Sequence, residues 1–352
     1  MNSSDIDVVN GRDKKKSRNP SVELFRCLLM FLIVLYHSFA HGIFCRAEGL
    51  WTLAFSAFLV WHVDSFVAIS GWFGIKWSWR KFLRLWGTIF FYSVLSFAFL
   101  CWKVPGSWSS FRMTAGWFGE TYLMLMMVAP LLEICLSGVC RLPYRDVFRL
   151  WGLFALAMFL SWVPCGMFSA VHGSGAGGYT ITMMVFLYLT VRIVRVMNVS
   201  ISRWMIGVAV LVFLAGTTAV WFGFEVVGVQ DRVFGGVRGG RYDMYNAPYV
   251  WMMAVAMLIL FAKFIKIPKS IGVIVNFLAP SMFGIYLCHD ATLYGPLLYR
   301  LPEEWLLQHT GLHPAGVVAL AACVAFSLSL GVDLLRRGLA SVCLMCARRF
   351  RV

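Results

Sequence analysis

The sequence predicts an all-α membrane protein, a bundle of about ten transmembrane helices with both termini in the cytoplasm. Three observations lead to this prediction. The 352 residues are 60% hydrophobic and 13% charged, with a mean hydropathy of +0.77, far more apolar than an ordinary soluble domain. Apolar runs long enough to cross a bilayer as helices recur along the chain. Basic residues are concentrated in every second connection between these runs.

The ten apolar runs define the predicted organisation of the chain. None shows the alternating ten-residue pattern of a transmembrane β-barrel, so each is expected to be a helix. Residues 1–20 then form a polar, basic cytoplasmic tail, residues 21–340 the ten-helix transmembrane domain, and residues 341–352 a second basic cytoplasmic tail. The runs lie at residues 22–44, 50–73, 86–104, 116–137, 147–169, 179–197, 204–224, 247–266, 271–293 and 314–335.

The basic residues predict the orientation of the bundle. With the N-terminus inside, 23 of the 31 Lys and Arg residues fall in predicted cytoplasmic segments, seven fall outside, and Arg26 lies within the first run. Lys and Arg accumulate on the cytoplasmic side of membrane proteins. The net charge of +15 is therefore assigned to orientation and to anionic lipid in the bilayer, and no nucleic-acid partner is expected.

Cysteines and glycines supply no further site. The ten cysteines are scattered, and the C-x-x-C of Cys343 and Cys346 lacks the second pair or the histidines that a zinc site needs. Neither a disulfide framework nor a metal site is expected. Glycine-rich segments at 172–178 and 235–243 lack the spacing of a phosphate-binding loop and are predicted to be flexible outer loops.

The first run carries polar residues that are costly in hydrocarbon. Eleven residues at about 100° each place Arg26 and His37 on one helix face, about 16 Å apart along the axis. Glu23 lies one turn before Arg26 and can pair with it. Glu23, Arg26 and His37 thus form a polar stripe along the helix. The stripe suits group transfer, because a cation can hold an anionic donor and a deeper histidine can act as a base. A snorkelling Arg26 and a packed, hydrogen-bonded His37 are the structural alternatives.

The second run adds two candidates and a basic segment. Its end, VDSFVAISGWFGI, places Asp64 in the membrane and Ser70 near the cytoplasmic side. Asp64 is either a charge partner of a histidine or a polar residue that packs in the bundle. The segment KWSWRKFLRLW follows, and it is either an orientation anchor with interfacial tryptophans or a rim that binds phosphate. Its basic residues are Lys76, Arg80, Lys81 and Arg84.

Together these segments resemble the acyltransferase 3 family, bacterial multi-pass membrane proteins that O-acylate cell-envelope and secreted glycans. The resemblance begins with R-x10-H, formed here by Arg26 and His37. It continues through VDSFVAISGWFGI, the basic segment after it, GWFGETYLMLMMVAPLLE at 116–133 and FGIYLCHD at 283–290. It covers nearly the whole chain, and the order of the motifs carries more weight than any one of them.

The resemblance implies a cytosolic acyl-CoA donor, usually acetyl-CoA, and a polysaccharide or glycolipid acceptor at a bacterial inner or plasma membrane. By this analogy His37 is the general base and Arg26 helps to place the donor. Arg80 and Arg84, with Lys76 and Lys81, would hold the CoA phosphates. The family often has R-x-x-R, whereas this chain has Lys81-x-x-Arg84 and Arg80-x-x-x-Arg84.

The same resemblance implies roles for other residues, and two mechanistic alternatives stay open. Trp117 and Tyr122 match aromatic positions of the fourth span, and His289 is given a structural or acceptor-side role. Ser70 could carry the acyl group covalently if a base lay within hydrogen-bond reach. A transporter or flippase for a glycan precursor would instead use the polar residues as a path and consume no acyl-CoA. The oligomeric state is not predicted.

Overall fold

A computed structural model describes residues 19–44, 58–103, 111–162, 180–225, 245–290 and 295–349. All regular secondary structure in these ranges is helical. The α-helices are α1 (Pro20–His41), α2 (Trp61–Phe73), α3 (Trp79–Lys103), α4 (Gly116–Val139), α5 (Tyr144–Trp162), α6 (Ile181–Val196), α7 (Arg203–Glu225), α8 (Pro248–Ile259), α9 (Lys269–Leu278), α10 (Met282–His289), α11 (Gly295–His309) and α12 (Pro314–Arg349).

The described helices fit a membrane protein. Each of the ten apolar runs contains a helix, and α12 continues to Arg349, into the segment that the sequence analysis treats as a tail. Residues 1–18 and the glycine-rich segments 172–178 and 235–243 lie outside the described residues. Within the described ranges, five helical segments are long and apolar enough to cross a bilayer: Pro20–His41, Trp79–Trp102, Gly116–Val139, Lys269–His289 and Pro314–Cys343.

Helix α1 lies at the centre of the described bundle. Asn19 caps its first turn, because the Asn19 side chain accepts a hydrogen bond from the backbone N–H of Ser21 at 3.0 Å, a favoured N-cap arrangement. The Ser21 hydroxyl donates to the carbonyl of Ile265, 2.8 Å away, just after the π-helical turn Leu260–Phe264. Helix α1 then packs against α2, α9, α10, α11 and α12. Its polar stripe is therefore enclosed by protein.

The ninth apolar run is broken near its middle. Helix α9 ends at Leu278, a 3-10 turn spans Ala279–Ser281, and α10 begins at Met282. Pro280 lacks a backbone N–H, so it cannot donate the hydrogen bond that would continue α9. The sequence predicts one continuous run here, and the proline explains the difference. The break brings the 3-10 turn to the wall of the cavity described below.

Helix α11 is absent from the ten predicted runs. Its sequence, GPLLYRLPEEWLLQH, is short, contains an internal proline and carries three charged residues. It packs against α1 and α12. Its fully buried Glu303 accepts hydrogen bonds from the Ser38 hydroxyl at 2.9 Å and the Ile43 backbone N–H at 2.7 Å. Burial raises the pKa of Glu303 above its usual value, while these two donors fix the C-terminal end of α1.

A buried carboxylate joins α3, α10 and α12. Asp333 is fully buried and accepts hydrogen bonds from the Tyr92 hydroxyl at 3.0 Å and from Arg336 Nε at 2.8 Å. Gly284 of α10 faces this group, and a Cβ at Gly284 would overlap the Asp333 carboxylate. Only the missing side chain allows α10 to approach α12 this closely.

Gly284→Ala should destabilise the bundle. The added methyl group must displace the Asp333 carboxylate, and overpacking of this kind costs about 1–3 kcal/mol. Thermal unfolding of the detergent-purified protein should show a clearly lower midpoint for this variant. Gly331→Ala on α12 is the matched control, since a Cβ there meets no heavy atom within 4 Å. Equal midpoints for the two variants would show that the Gly284 contact is not limiting.

Candidate active site

A cavity of about 270 Å³ lies against α1, α2, α4 and the broken α9–α10 segment. Five residues that the sequence marks as site candidates line it: Arg26, His37, Ser70, Trp117 and Tyr122. Arg26 and His37 belong to one helix and are separated by eleven residues, which corresponds to about 16 Å of helix. The cavity therefore extends along α1 from a guanidinium to an imidazole.

Apolar and aromatic side chains form most of the remaining wall. Ile33, Phe66, Phe118 and Phe283 are among them, and such a lining disfavours water. Tyr245, which the sequence analysis does not single out, also lines the cavity, and its ring stacks on Trp117 with centroids 5.5 Å apart. The site combines a few polar groups with an apolar enclosure, as small-molecule sites usually do.

An ion pair fixes the Arg26 end of the cavity. Arg26 Nη1 lies 3.2 Å from Glu23 Oε2, and Glu23 is only 4% exposed. The one-turn spacing on α1 predicts this pair, and the structure has it. The buried carboxylate holds the guanidinium at the cavity wall, whereas a snorkelling arginine extends its head group into water.

A second imidazole fixes the His37 end. His37 Nδ1 lies 3.1 Å from His289 Nε2, and His289 Nδ1 lies 2.6 Å from the carbonyl oxygen of Ile285, one turn earlier on α10. A carbonyl oxygen can only accept, so His289 carries its proton on Nδ1 and leaves Nε2 as an acceptor when the ring is neutral. His37 must then donate from Nδ1.

This order of hydrogen bonds determines the tautomer of His37. With its proton on Nδ1, neutral His37 has an unprotonated Nε2. No partner for that nitrogen is found among the described residues. The ring of His37 therefore lies at the cavity wall with an unprotonated Nε2, and the contact with His289 restrains its orientation. The sequence predicts a structural or acceptor-side role for His289, and the structure places it in direct contact with His37.

Asp290, rather than Asp64, is the carboxylate beside His37. Asp290 Oδ1 lies 3.5 Å from His37 Nδ1. Asp64 is buried in α2, where its Oδ2 has no hydrogen-bond partner and no ion pair among the described residues. Of the two interpretations of Asp64, the described contacts favour a polar residue packed in the bundle. Asp290 is 253 residues from His37 in the sequence, so helical spacing could not predict that the two side chains lie close together.

Ser70 and Tyr122 meet across the cavity wall. The Ser70 hydroxyl lies 3.0 Å from the Tyr122 hydroxyl and 3.2 Å from the carbonyl oxygen of Phe66 in its own helix. A hydroxyl has one proton to donate. The described contacts therefore give Ser70 a hydroxyl partner and a carbonyl acceptor, and they include no imidazole or carboxylate that would activate it.

The basic segment lies beside the cavity instead of in its wall. Lys76, Arg80, Lys81 and Arg84 are all exposed, and none of them lines the cavity. The next residue after Arg84, Leu85, does line it. The four cations at the start of α3 are thus available to a ligand that extends out of the cavity.

A polar network supports the start of this basic segment, and no motif in the sequence predicts it. Glu133 receives two hydrogen bonds from Arg192, at 2.7 and 2.8 Å, and one from the Tyr188 hydroxyl at 2.5 Å. The same hydroxyl accepts from the backbone N–H of Ile75 at 2.9 Å. Bidentate arginine pairs are strong and directional. The network ties residues 74–75 to α4 and α6, and the wide sequence separations explain why no motif revealed it.

A second, smaller cavity of about 180 Å³ shares two lining residues, Trp117 and Tyr286, with the first. Its polar lining includes hydroxyl groups and the Asp290 carboxylate; the residues are Ser93, Ser96, Thr114 and Asp290. Asp290 therefore contacts this cavity as well as His37. Both cavities combine apolar side chains with a few polar groups, and these groups include a guanidinium and an imidazole in the first cavity and a carboxylate in the second.

Comparison with known proteins identifies one family. The sequence model of the acyltransferase 3 family, described as an acyltransferase domain, matches residues 19–332. No curated protein and no solved structure matches the chain. The matched segment contains both cavities and every residue named in this subsection.

The hydrogen bonds predict a specific protonation pattern for His37. In protein labelled with ¹⁵N-histidine, His37 should have a protonated Nδ1 and an unprotonated Nε2 by ¹⁵N chemical shift. His289→Leu removes the acceptor, so this preference should be lost. His309→Leu is the control, because His309 is exposed on α11 and contacts Trp305 instead. A His37 ring that is protonated on Nε2 in the unsubstituted protein would contradict the assignment.

Proposed function

The chain belongs to the acyltransferase 3 family, and from that premise we propose that it is a membrane O-acyltransferase using an acyl-CoA donor. It is an integral membrane protein and an acyltransferase. The donor we propose is acetyl-CoA, and the acceptor is a hydroxyl of a cell-surface or exported polysaccharide or glycolipid. The resemblance of its motifs supports both choices.

One observation carries the proposal: Arg26 and His37 line the same cavity. The acyl end of the donor would lie between them, with the thioester carbonyl next to His37. The apolar wall would keep water away, so the thioester would meet the acceptor instead of being hydrolysed. His37 Nε2, left unprotonated by the contact with His289, would be the base.

The proposed chemistry is a direct transfer. His37 Nε2 takes the proton of the acceptor hydroxyl as the hydroxyl oxygen attacks the thioester carbonyl. The carbon–sulfur bond breaks, an ester forms, and the proton passes to the departing sulfur to give free CoA thiol. The imidazolium formed during attack is stabilised by the Asp290 carboxylate, 3.5 Å from Nδ1. General-base assistance of this kind typically contributes about 10²- to 10⁴-fold in rate.

The basic residues would bind the rest of the donor. Arg26, held by Glu23, would place the part of the donor that enters the cavity. Outside the cavity, the four exposed cations at the start of α3 would hold the CoA phosphates, arginine by paired hydrogen bonds and lysine as a point charge. They are Lys76, Arg80, Lys81 and Arg84.

The smaller cavity is the proposed acceptor site. Its hydroxyls and the Asp290 carboxylate can exchange hydrogen bonds with sugar hydroxyls, and the ring of Trp117 gives an apolar surface for a sugar face. Because Asp290 lines this cavity and lies beside His37, an acceptor bound there is close to the proposed base. This arrangement supports a carbohydrate acceptor.

Direct transfer is favoured over a covalent route through Ser70. A nucleophilic serine needs an adjacent base or a lowered pKa. In the described structure, the Ser70 hydroxyl contacts Tyr122 and the Phe66 carbonyl, and neither is a base near neutrality. Tyr122 and Ser70 would then shape the donor side of the cavity.

We also propose that the chain crosses the membrane ten times and has both termini in the cytoplasm. This arrangement places the Arg26 end of the cavity and the basic segment around the start of α3 on the cytoplasmic side, where acyl-CoA is found. His37, His289 and Asp290 then lie toward the outer side, where exported glycans are found. The inner or plasma membrane of a bacterium is the corresponding location.

The proposal predicts glycan-dependent release of CoA thiol. Purified protein with acetyl-CoA and a crude cell-envelope polysaccharide fraction should release thiol, and His37→Ala should lower the rate by about 10²- to 10⁴-fold through loss of the base. Arg26→Ala should lower kcat/KM for acetyl-CoA, because the donor loses its anchor in the cavity.

Two matched controls accompany this assay. His309→Ala removes an exposed histidine that lines neither cavity. Arg149→Ala removes an arginine whose ion pair with Asp146 has the same i, i+3 spacing as Glu23 and Arg26. Both should retain the unsubstituted rate. Undiminished thiol release by His37→Ala would refute the proposed base. No thiol release from acetyl-CoA by folded protein with any glycan fraction would refute the proposed reaction.

A further inference from the structure

Three potential metal ligands converge at the His37 end of the cavity. His37, His41 and Asp290 each offer one ligand atom, and these atoms all lie within 4.8 Å of one another. His37 and His41 are one helical turn apart on α1, with ring centroids 5.2 Å apart. Asp290 comes from the end of α10. The sequence predicts no metal site, because the carboxylate and the histidines are about 250 positions apart.

The composition of this cluster matches a particular class of cation. Two imidazoles at i and i+4 on one helix face are a recurrent metal-binding pair, and two histidines with one carboxylate leave positions open on the metal. Nitrogen ligands disfavour Mg²⁺ and Ca²⁺, which prefer oxygen. Zinc takes histidine nitrogen and carboxylate oxygen at about 2.0–2.2 Å.

The observed separations are close to those that such an ion needs. Tetrahedral ligands at those bond lengths are about 3.3–3.5 Å apart, and His37 Nδ1 is already 3.5 Å from Asp290 Oδ1. His41 lies within 4.8 Å and is exposed, so a small rotation of its side chain completes the set. Its exposure also gives an ion a route to the site from the surface.

The backbone around the cluster is held independently of any ion. The buried Glu303 accepts hydrogen bonds from Ser38 and Ile43, which flank His41. Arg300 Nε donates to the carbonyl of His41 at 3.2 Å. These contacts fix the end of α1 that carries both histidines, so binding would require movement of side chains more than of the helix.

We infer that His37, His41 and Asp290 bind one divalent transition-metal ion, best matched by Zn²⁺, and that the bound ion blocks the base. The ion takes the lone pair of His37 Nδ1 and displaces the hydrogen bond to His289. The single proton of the neutral ring then lies on Nε2, the nitrogen that would accept the substrate proton. The binding site stands on geometry alone, whereas the inhibition rests on the proposed function.

Metal binding can be measured without any assay of activity. Tag-free full-length protein carrying Cys343→Ala and Cys346→Ala, which removes the exposed thiol pair, is stripped with EDTA and titrated with Zn²⁺ against a chromophoric chelator. One equivalent should bind. His41→Ala and Asp290→Asn should each weaken binding at least tenfold, and His309→Ala should leave it unchanged.

The outcomes separate the site from other sources of zinc binding. Equal affinity in His41→Ala, Asp290→Asn and the parent protein would overturn the site, as would failure of the folded parent to bind. His41 is exposed, so His41→Ala should elute from size exclusion as the parent does. Loss of zinc binding in His41→Ala, with binding retained in His309→Ala, supports the assignment.

A second measurement addresses the inhibition. Zn²⁺ at saturating concentration should slow thiol release from acetyl-CoA at least tenfold in the parent protein and leave His41→Ala near its metal-free rate. Full activity with the ion bound would overturn the inhibitory role. Stoichiometric binding that depends on His41, in a protein with no thiol release at all, would contradict the proposed function while the metal site stands.

Discussion

Ionisable side chains that are enclosed in a membrane bundle need partners within the protein, because hydrocarbon offers none. Several of the enclosed side chains in the described structure meet this constraint through a small number of contacts, whereas Asp64 Oδ2 has no hydrogen-bond partner among the described residues. Arg336 and Tyr92 both donate to Asp333 Oδ1, Arg192 and Tyr188 donate to Glu133, and Ser38 donates to Glu303. The Arg336–Asp333 pair lies within α12, and the other contacts join different helices. The positions of the helices, and thus the shape of the cavity, depend on these pairs.

Among these contacts, the hydrogen bond between His37 and His289 also determines which nitrogen of His37 carries the proton. It satisfies two nitrogens of enclosed imidazoles, and it also leaves Nε2 of His37 unprotonated. One contact therefore serves both the packing of α1 against α10 and the proposed base. With His41 and Asp290, the same ring can also coordinate a metal ion. These two interactions compete, since Nδ1 can bond to His289 or to a metal ion but not to both. Competition for this nitrogen would connect catalysis to metal availability.

The sequence predicts those features of the site that depend on local periodicity. Helical spacing places Arg26 and His37 on one face and pairs Glu23 with Arg26, and composition predicts a helical membrane protein. Contacts between distant segments could not be predicted in this way. His289 and Asp290 lie beside His37 because α10 packs against α1, and α11 has too many polar residues for a hydropathy criterion. Pro280 is present in the sequence, but the continuous apolar run around it does not indicate that α9 ends and α10 begins there.

We propose that the acyl end of the donor reaches His37 through the cavity that begins at Arg26. An experimental structure of the protein with a non-hydrolysable acetyl-CoA analogue would locate each part of the donor. We expect the carbonyl carbon of the analogue beside His37 Nε2, the pantetheine chain past Arg26, and the phosphates near the start of α3. An analogue whose acyl group lies outside this cavity, or in the smaller cavity, would contradict this binding mode.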